Sequence, residues 1–246
     1  MKTKTIVILA IFAVVLSACN LQIGDLNIRT ISGSGNKVTE ERTVSGFKAV
    51  QLKGIGNLEI TQSDTEKLVV EADDNIMPLI ETEVINSELV IRLKEGTMVT
   101  DANSITYKLT VKDLNAISLS GLGNATAGDL KSDNMDIRLS GSGQVEIKNL
   151  ETGKLTVAIS GLGSANISGK TSSQEISLSG SGDYDGADLE SDSATATISG
   201  LGSVTVWVKS DLNATISGSG SISYYGDPSV SQKVTGLGNI KSLGTK

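Results

Sequence analysis

The residue types from which active sites are usually built are scarce in this chain: its 246 residues include no histidine and one cysteine, Cys19. Ser-His-Asp and Cys-His nucleophilic systems and the common zinc sites are therefore out of reach. What remains is carboxylates. The densest run, Asp183-Tyr184-Asp185-Gly186-Ala187-Asp188, is a distorted version of a calcium loop. Its glycine comes two places early and no Glu closes the coordination, so the run reads as a solvated loop. Paired carboxylates on different segments could cleave a glycoside, but sugar sites also want stacking aromatics, and Trp207 is the sole tryptophan. Trp207 alternates out of phase with Val204, Val206 and Val208, as an exposed contact or a rim residue under a loop would. The expectation is a protein with no catalytic residue, no metal ligand and no cofactor.

Cys19 has a chemistry of its own. Met1-Lys2-Thr3-Lys4-Thr5 and the unbroken apolar run Ile6 to Leu16 form the basic and apolar regions of an export signal. The run is too short to span a bilayer. It ends in Leu16-Ser17-Ala18-Cys19, which resembles a bacterial lipobox. That resemblance implies removal of residues 1–18, a diacylglyceryl thioether on the Cys19 sulfur and an acyl group such as palmitate on its new amine. Each buried acyl CH₂ contributes about 0.8 kcal/mol, so several chains on one residue hold far better than one. The expected location is the bacterial cell envelope, lipid-anchored to a membrane (the outer membrane above all), with the domain in the periplasm or on the cell surface. The net charge of −7 and pI near 4.7 argue against nucleic acid as a partner and against electrostatic docking on anionic lipid.

The elements that must carry any site are repetitive. With 3% aromatic residues, 2 prolines and 27 glycines, a wide core would be hard to fill, whereas thin layers of Val, Ile, Leu and Ala would not. Gly-x-Gly recurs at Gly121, Gly141, Gly161, Gly180, Gly200, Gly218 and Gly236, in steps of 20, 20, 19, 20, 18 and 18. Two residues before each first glycine stand Leu119, Leu139, Ile159, Leu178, Ile198, Ile216 and Val234, and the alternation resumes after it, as in Val145 and Ile147. Period-two alternation with one apolar face is a strand signature. A unit of this size cannot bury its own face, so the repeats must stack. The fold expected is all-β, a right-handed parallel β-helix with rungs of about 20 residues. Each rung runs strand, glycine corner, strand, then a polar loop such as Asp129 to Asn134.

At the corners glycine is expected to supply positive φ and close backbone approach. A phosphate-cradling loop is the functional alternative, but Thr126, Glu146 and Asn166 stand where a third glycine would be needed. The central corner residue alternates Leu, Ser, Leu, Ser, Leu, Ser, Leu, as interlocking large and small residues or a duplicated two-rung block would. Beside the corners, Ser120, Ser140, Ser160, Ser179, Ser199, Ser217 and Thr235 form a hydroxyl ladder, suited to satisfying backbone groups or to presenting a polar face to a ligand. The first half is less regular. Asp73 to Val84, with Pro78, suggests a short helix capping the stack, and strict alternation between Ile55 and Leu122 predicts two long rungs, with Asp73 to Val84 and Gly96 to Asn103 as insertions.

Arg42-Thr43-Val44-Ser45-Gly46-Phe47 leading into Val50-Gln51-Leu52, then Asn86-Ser87-Glu88-Leu89-Val90-Ile91, and the recurrent Ile-Ser-Gly-Ser/Leu-Gly make the chain resemble the auto-transporter adhesin, head GIN domain family of bacteria. The resemblance runs from about residue 40 to the C-terminus. It implies a β-helical envelope protein. The organisation expected is a signal peptide (1–18), a lipidated N-terminus and tether (19–40) and a solenoid domain (41–246), with irregular rungs over 41–115 and regular ones over 116–246. The function expected is that of a non-enzymatic adhesin or surface binding module, with the membrane as partner through Cys19 and a glycan or protein as ligand. A structural envelope component and a carbohydrate-active enzyme are the alternatives.

Overall fold

The computed structural model describes residues 29–100 and 105–246. The expected signal peptide, Cys19 and residues 101–104, which take in the end of the expected Gly96–Asn103 insertion, lie outside the described residues. The chain forms an all-β solenoid with a spacing of about 20 residues per coil. Ten short strands come first: β1 (Arg29–Ile31), β2 (Lys37–Arg42), β3 (Ala49–Lys53), β4 (Asn57–Gln62), β5 (Lys67–Asp73), β6 (Ile80–Ile85), β7 (Glu88–Leu93), β8 (Thr97–Val99), β9 (Thr106–Val111) and β10 (Ala116–Leu119). Five long ones follow: β11 (Asn124–Leu139), β12 (Gln144–Ile159), β13 (Ser164–Leu178), β14 (Asp183–Ile198) and β15 (Ser203–Ile216). Three more complete the stack, β16 (Ser221–Tyr225), β17 (Ser229–Val234) and β18 (Asn239–Ser242).

Each long strand pairs in parallel with the next, so that Ile117, Ile137, Val157, Ile176, Ala196 and Ala214 fall in register, as do Leu119, Leu139, Ile159, Leu178, Ile198 and Ile216. Both columns are buried. Alternation therefore decides which face is core, and stacking supplies the ladder hydrogen bonds. The column ends at Val234, 43% exposed on the last rung.

The polar stretches between corners are not loops. Asp129 to Asn134 continues the ladder, with Leu130 paired to Leu150 and Ser132 to Thr152. Leu130, Leu150 and Leu189 point inward, and at the next bend Thr152 and Thr171 hydroxyls donate to the Lys154 and Ser173 carbonyls, 3.2 and 2.9 Å away. A hydroxyl that satisfies a carbonyl two residues on lets the strand bend with the side chain turned in.

The first half departs from chain order. Ala116 pairs with Ala49, and the Leu122 amide donates to the Gly54 carbonyl at 2.8 Å, so no rung separates Ile55 from Leu122. The expected pair of long rungs is absent there. Instead β7 and β9 run parallel beneath β3 and β4, antiparallel β6 covers β7, and antiparallel β5 and β2 cover β9. The outermost strands β2 and β6 carry Glu40, Glu41, Arg42, Glu81 and Glu83, charges that discourage edge-to-edge pairing. The helix expected over Asp73 to Val84 reduces to a single 3₁₀ turn at Met77–Leu79, after which β6 begins. Ile80 to Ile85 is rich in β-branched residues, and Asn86 and Ser87, at φ 52° and 64°, make a two-residue hairpin turn into β7. Ile76 and Met77 still bury against the core.

Candidate functional site

The Gly-x-Gly corners stack into one edge of the solenoid. Their glycines are needed for closeness, since positive φ occurs at Gly54 and Gly56 but at none of the corner glycines from Gly121 to Gly238. A Cβ on Gly141 would lie 1.9 Å from the Gly121 carbonyl oxygen, and one on Gly161 2.0 Å from that of Gly141. The expectation of a left-handed corner is thereby corrected: backbone packs on backbone, and no side chain fits between.

The central corner residue is not interlocked in the core either. It points outward, with Leu122 59%, Leu162 68%, Leu201 67% and Leu237 90% exposed. Ser142, Ser181 and Ser219 occupy the same outward position on the alternate rungs. The backbone is indifferent to which residue stands there, because the Ser142 amide donates to Gly121 O at 2.9 Å and the Leu162 amide to Gly141 O at 3.0 Å. Across the seven tetrads from 120–123 to 235–238 every residue is Ser, Thr, Gly or Leu, so these corners bear no charge, and the charge in line with them is Lys53, beside Gly54 on the preceding rung.

Next to it runs the hydroxyl ladder, which is exposed. Ser140, Ser160 and Thr235 hydroxyls reach back to the carbonyls of Leu119, Leu139 and Ile216 at 3.4–3.5 Å, in keeping with a role in satisfying the backbone. On the other side of the corner, the Asn124 Oδ1 accepts from the Gln144 amide at 3.1 Å and the Asp183 Oδ1 from the Ser203 amide at 2.9 Å.

Asp183 to Asp188 is a strand segment, not a loop. Asp183 and Asp185 face solvent while Tyr184 is buried between Ala165 and Val204. The Tyr184 hydroxyl donates to Gln174 Oε1 at 2.9 Å, Gln174 Nε2 donates to Ser191 Oγ at 2.8 Å, and Ser191 Oγ donates to the Trp207 carbonyl at 2.8 Å. Burial pushes the Tyr184 phenol well above its ordinary range, with the Asp185 carboxylate adding to the effect. This relay sits inside the solenoid and joins three rungs. A tyrosine at an apolar in-facing place, and a glutamine where neighbouring rungs carry Leu155 and Ala194, were its sequence signals.

Trp207 is half-buried and pairs along the stack with Tyr225. The Lys246 ammonium lies 5.4 Å from the Trp207 ring centre and 5.1 Å from that of Tyr225. It also donates to the Ala187 carbonyl at 2.6 Å and pairs with Asp188. Trp207 is thus a rim residue held under the C-terminal segment. Elsewhere, Gln62 stitches β4 to its neighbours: its Nε2 donates to the Lys112 and Lys131 carbonyls and its Oε1 accepts from the Lys131 amide. An open groove of about 560 Å³ beside it is lined by Asp64, Asp113, Asp129 and Asp133 with Lys112 and Lys131, without an aromatic platform. Among the described residues, no group of three or more Asp and Glu is placed to hold a metal ion.

Stacked rungs joined at a glycine edge define a repetitive β-solenoid. Over residues 46–228 the chain matches the family described as "Putative auto-transporter adhesin, head GIN domain", and it belongs to that family. A crystal structure of a "putative adhesin" from Bacteroides fragilis is 28% identical, with 87% of this chain and 100% of that chain covered and a TM-score of 0.83. The same fold is seen in a "Putative lipid binding protein" from Parabacteroides distasonis, at 24% identity, 87% and 100% coverage and a TM-score of 0.74. It is seen again in a "putative adhesin" from Parabacteroides merdae, at 23% identity, 87% and 99% coverage and a TM-score of 0.68. A search of curated proteins finds no match.

Proposed function

We propose that this chain is a non-enzymatic, lipid-anchored protein of the bacterial cell envelope that binds a glycan or protein ligand through its glycine edge. The observation that carries the reading is the exposed row Leu122, Leu162, Leu201 and Leu237. The fold does not require leucine there, since serine meets the same backbone hydrogen bonds on alternate rungs. Four leucines kept in register on an uncharged edge have the composition of a contact surface, not of a solvated face. Family membership supports the adhesive reading, and acylation of Cys19 would hold the edge at the envelope.

The test uses the mature chain without its lipid, from residue 20, on glycan arrays, intact cells and envelope extracts. Leu162→Ser/Leu201→Ser should abolish binding without changing the melting temperature. Undiminished binding by a folded double variant would move the site to another face.

A further inference from the structure

The alternation along the edge is self-complementary. Stacked rungs lie about 4.8 Å apart, so leucines recur at about 9.6 Å with a serine midway. A second identical row, shifted by one rung, presents a small residue wherever the first presents a large one. Taking the edge as the contact surface, as proposed above, we infer that its partner is a second copy of this chain, packed antiparallel about a two-fold axis so that leucines of each row seat on serines of the other.

The position of the axis follows from the sequence of corners. Placed between the rungs of Leu162 and Ser181, it sets Leu162 on Ser181, Leu201 on Ser142 and Leu122 on Ser219, and each pair occurs twice by symmetry. Leu237 then falls opposite Ile55, the half-buried central residue of the Gly54–Gly56 corner. The one antiparallel register that pairs as many leucines with serines has its axis between the rungs of Ser181 and Leu201, and it leaves Leu122 beyond the last corner of the partner, without a serine to seat on. A parallel arrangement about an axis along the solenoid would set leucine on leucine and leave the serine rungs gaping.

Charge permits the approach. The molecule carries −7 overall, yet the 28 residues of the seven corner tetrads carry none of it. The nearest charges meet neutral residues in this register, Arg138 facing Thr197, Asp183 facing Ser164, Lys233 facing Gln51 and Lys53 facing Thr235. Like charges are not brought together. Antiparallel packing also places the two N-terminal ends at opposite ends of the pair, which suits chains anchored through Cys19 on two facing surfaces. Anchoring raises the effective concentration, so a modest contact between single copies suffices.

The mature chain without its lipid is examined by sedimentation equilibrium up to several hundred micromolar. Its average mass should rise toward the dimer, and Leu162→Ser/Leu201→Ser should weaken association at least tenfold. Single-cysteine variants, mixed pairwise and oxidised, fix the register: Leu122→Cys with Ser219→Cys should cross-link, and Leu122→Cys with Ser142→Cys should not. Vesicles carrying the chain coupled through Cys19 to a maleimide lipid should cluster, and those carrying the double variant should not. Cross-linking of residue 122 to residue 142 in place of 219 would overturn this register, and cross-linking of Leu122→Cys to its own copy would overturn the antiparallel pairing. A chain that stays monomeric and leaves vesicles dispersed overturns the self-partner. If the double variant then still loses binding to cells or glycans, the edge remains the contact surface with a different occupant.

Discussion

A Cβ added to Gly186 would lie 2.6 Å from the hydroxyl of Tyr184, so the phenol occupies the space that Val206, the partner of Gly186, fills on the next rung. One residue is absent so that another can cross the core. Tyr184→Phe should cost about 1–3 kcal/mol, because it leaves Gln174 buried without its donor. Gly186→Ala should cost a similar amount through overpacking, about 1–3 kcal/mol. Urea titration of both variants measures the two losses, and an unchanged midpoint for Tyr184→Phe would mean that water or another group satisfies Gln174.

The glycine edge gives a second test, one that separates its two physical explanations. Were the corner a matter of positive φ, alanine and valine at Gly161 would both be disfavoured locally and the rungs could stay in contact. Because the obstacle is the Gly141 carbonyl 2.0 Å from the new Cβ, even Gly161→Ala must push rungs apart, and it should destabilise by several times the roughly 1 kcal/mol that separates Ala from Gly in ordinary chain. Thermal unfolding of the Ala and Val variants checks this, and a melting point within a degree of wild type for Gly161→Ala would show that the stack yields easily.

High pH should unfold the protein through its buried tyrosines. The Tyr107 and Tyr184 phenols are both raised above the ordinary value of 10.0 by desolvation. A group whose folded pKa is raised stabilises fully below the unfolded value, and that stability is lost as pH rises above it. Stability should therefore be level up to about pH 10, the phenol value in unfolded chain, and fall beyond it. Absorbance of the phenolate and circular dichroism should change together for these residues. Full tyrosine ionisation before any loss of structure would contradict it.

Cys19→Ala should release the protein from membranes, since it removes the chain's one cysteine, on which the proposed lipid anchor rests. Fractionation of cells expressing the variant tests this, and a variant that sediments with the membranes as wild type does would refute the lipid anchor.

What the sequence discloses, and what it hides, divides along physical lines. Leu119 to Ile216 can be read as one buried column because side-chain direction in a strand alternates strictly, and the Gly-x-Gly spacing sets the register. Corner residues belong to neither period, so the outward direction of Leu162 and Leu201 is invisible until the backbone path is known. The loop reading of Asp183 to Asp188 fails for a different reason. Its outward carboxylates dominate the composition, while the inward partners are a tyrosine and a glycine, which do not look apolar to a pattern search. In the first half, hairpins such as Ile80–Glu88 return the chain beneath rungs already laid down, and no local signal encodes that order.

Rung order also sets a timetable. The β3–β4 coil comes early in the chain, yet it is sandwiched between β7 and β9 on one side and β10 and β11 on the other. Asn57 waits 67 residues for its hydrogen-bond partner Asn124. A chain threaded outward from its N-terminus therefore cannot finish its first coil until the excursion through residue 115 has doubled back, whereas every later coil needs only the rung before it. Closing so long a loop is slow relative to adding neighbours. For a chain folding outward from its N-terminus, the irregular half is thus the slow coil to close, and the regular half a zipper in which each rung adds to the one before.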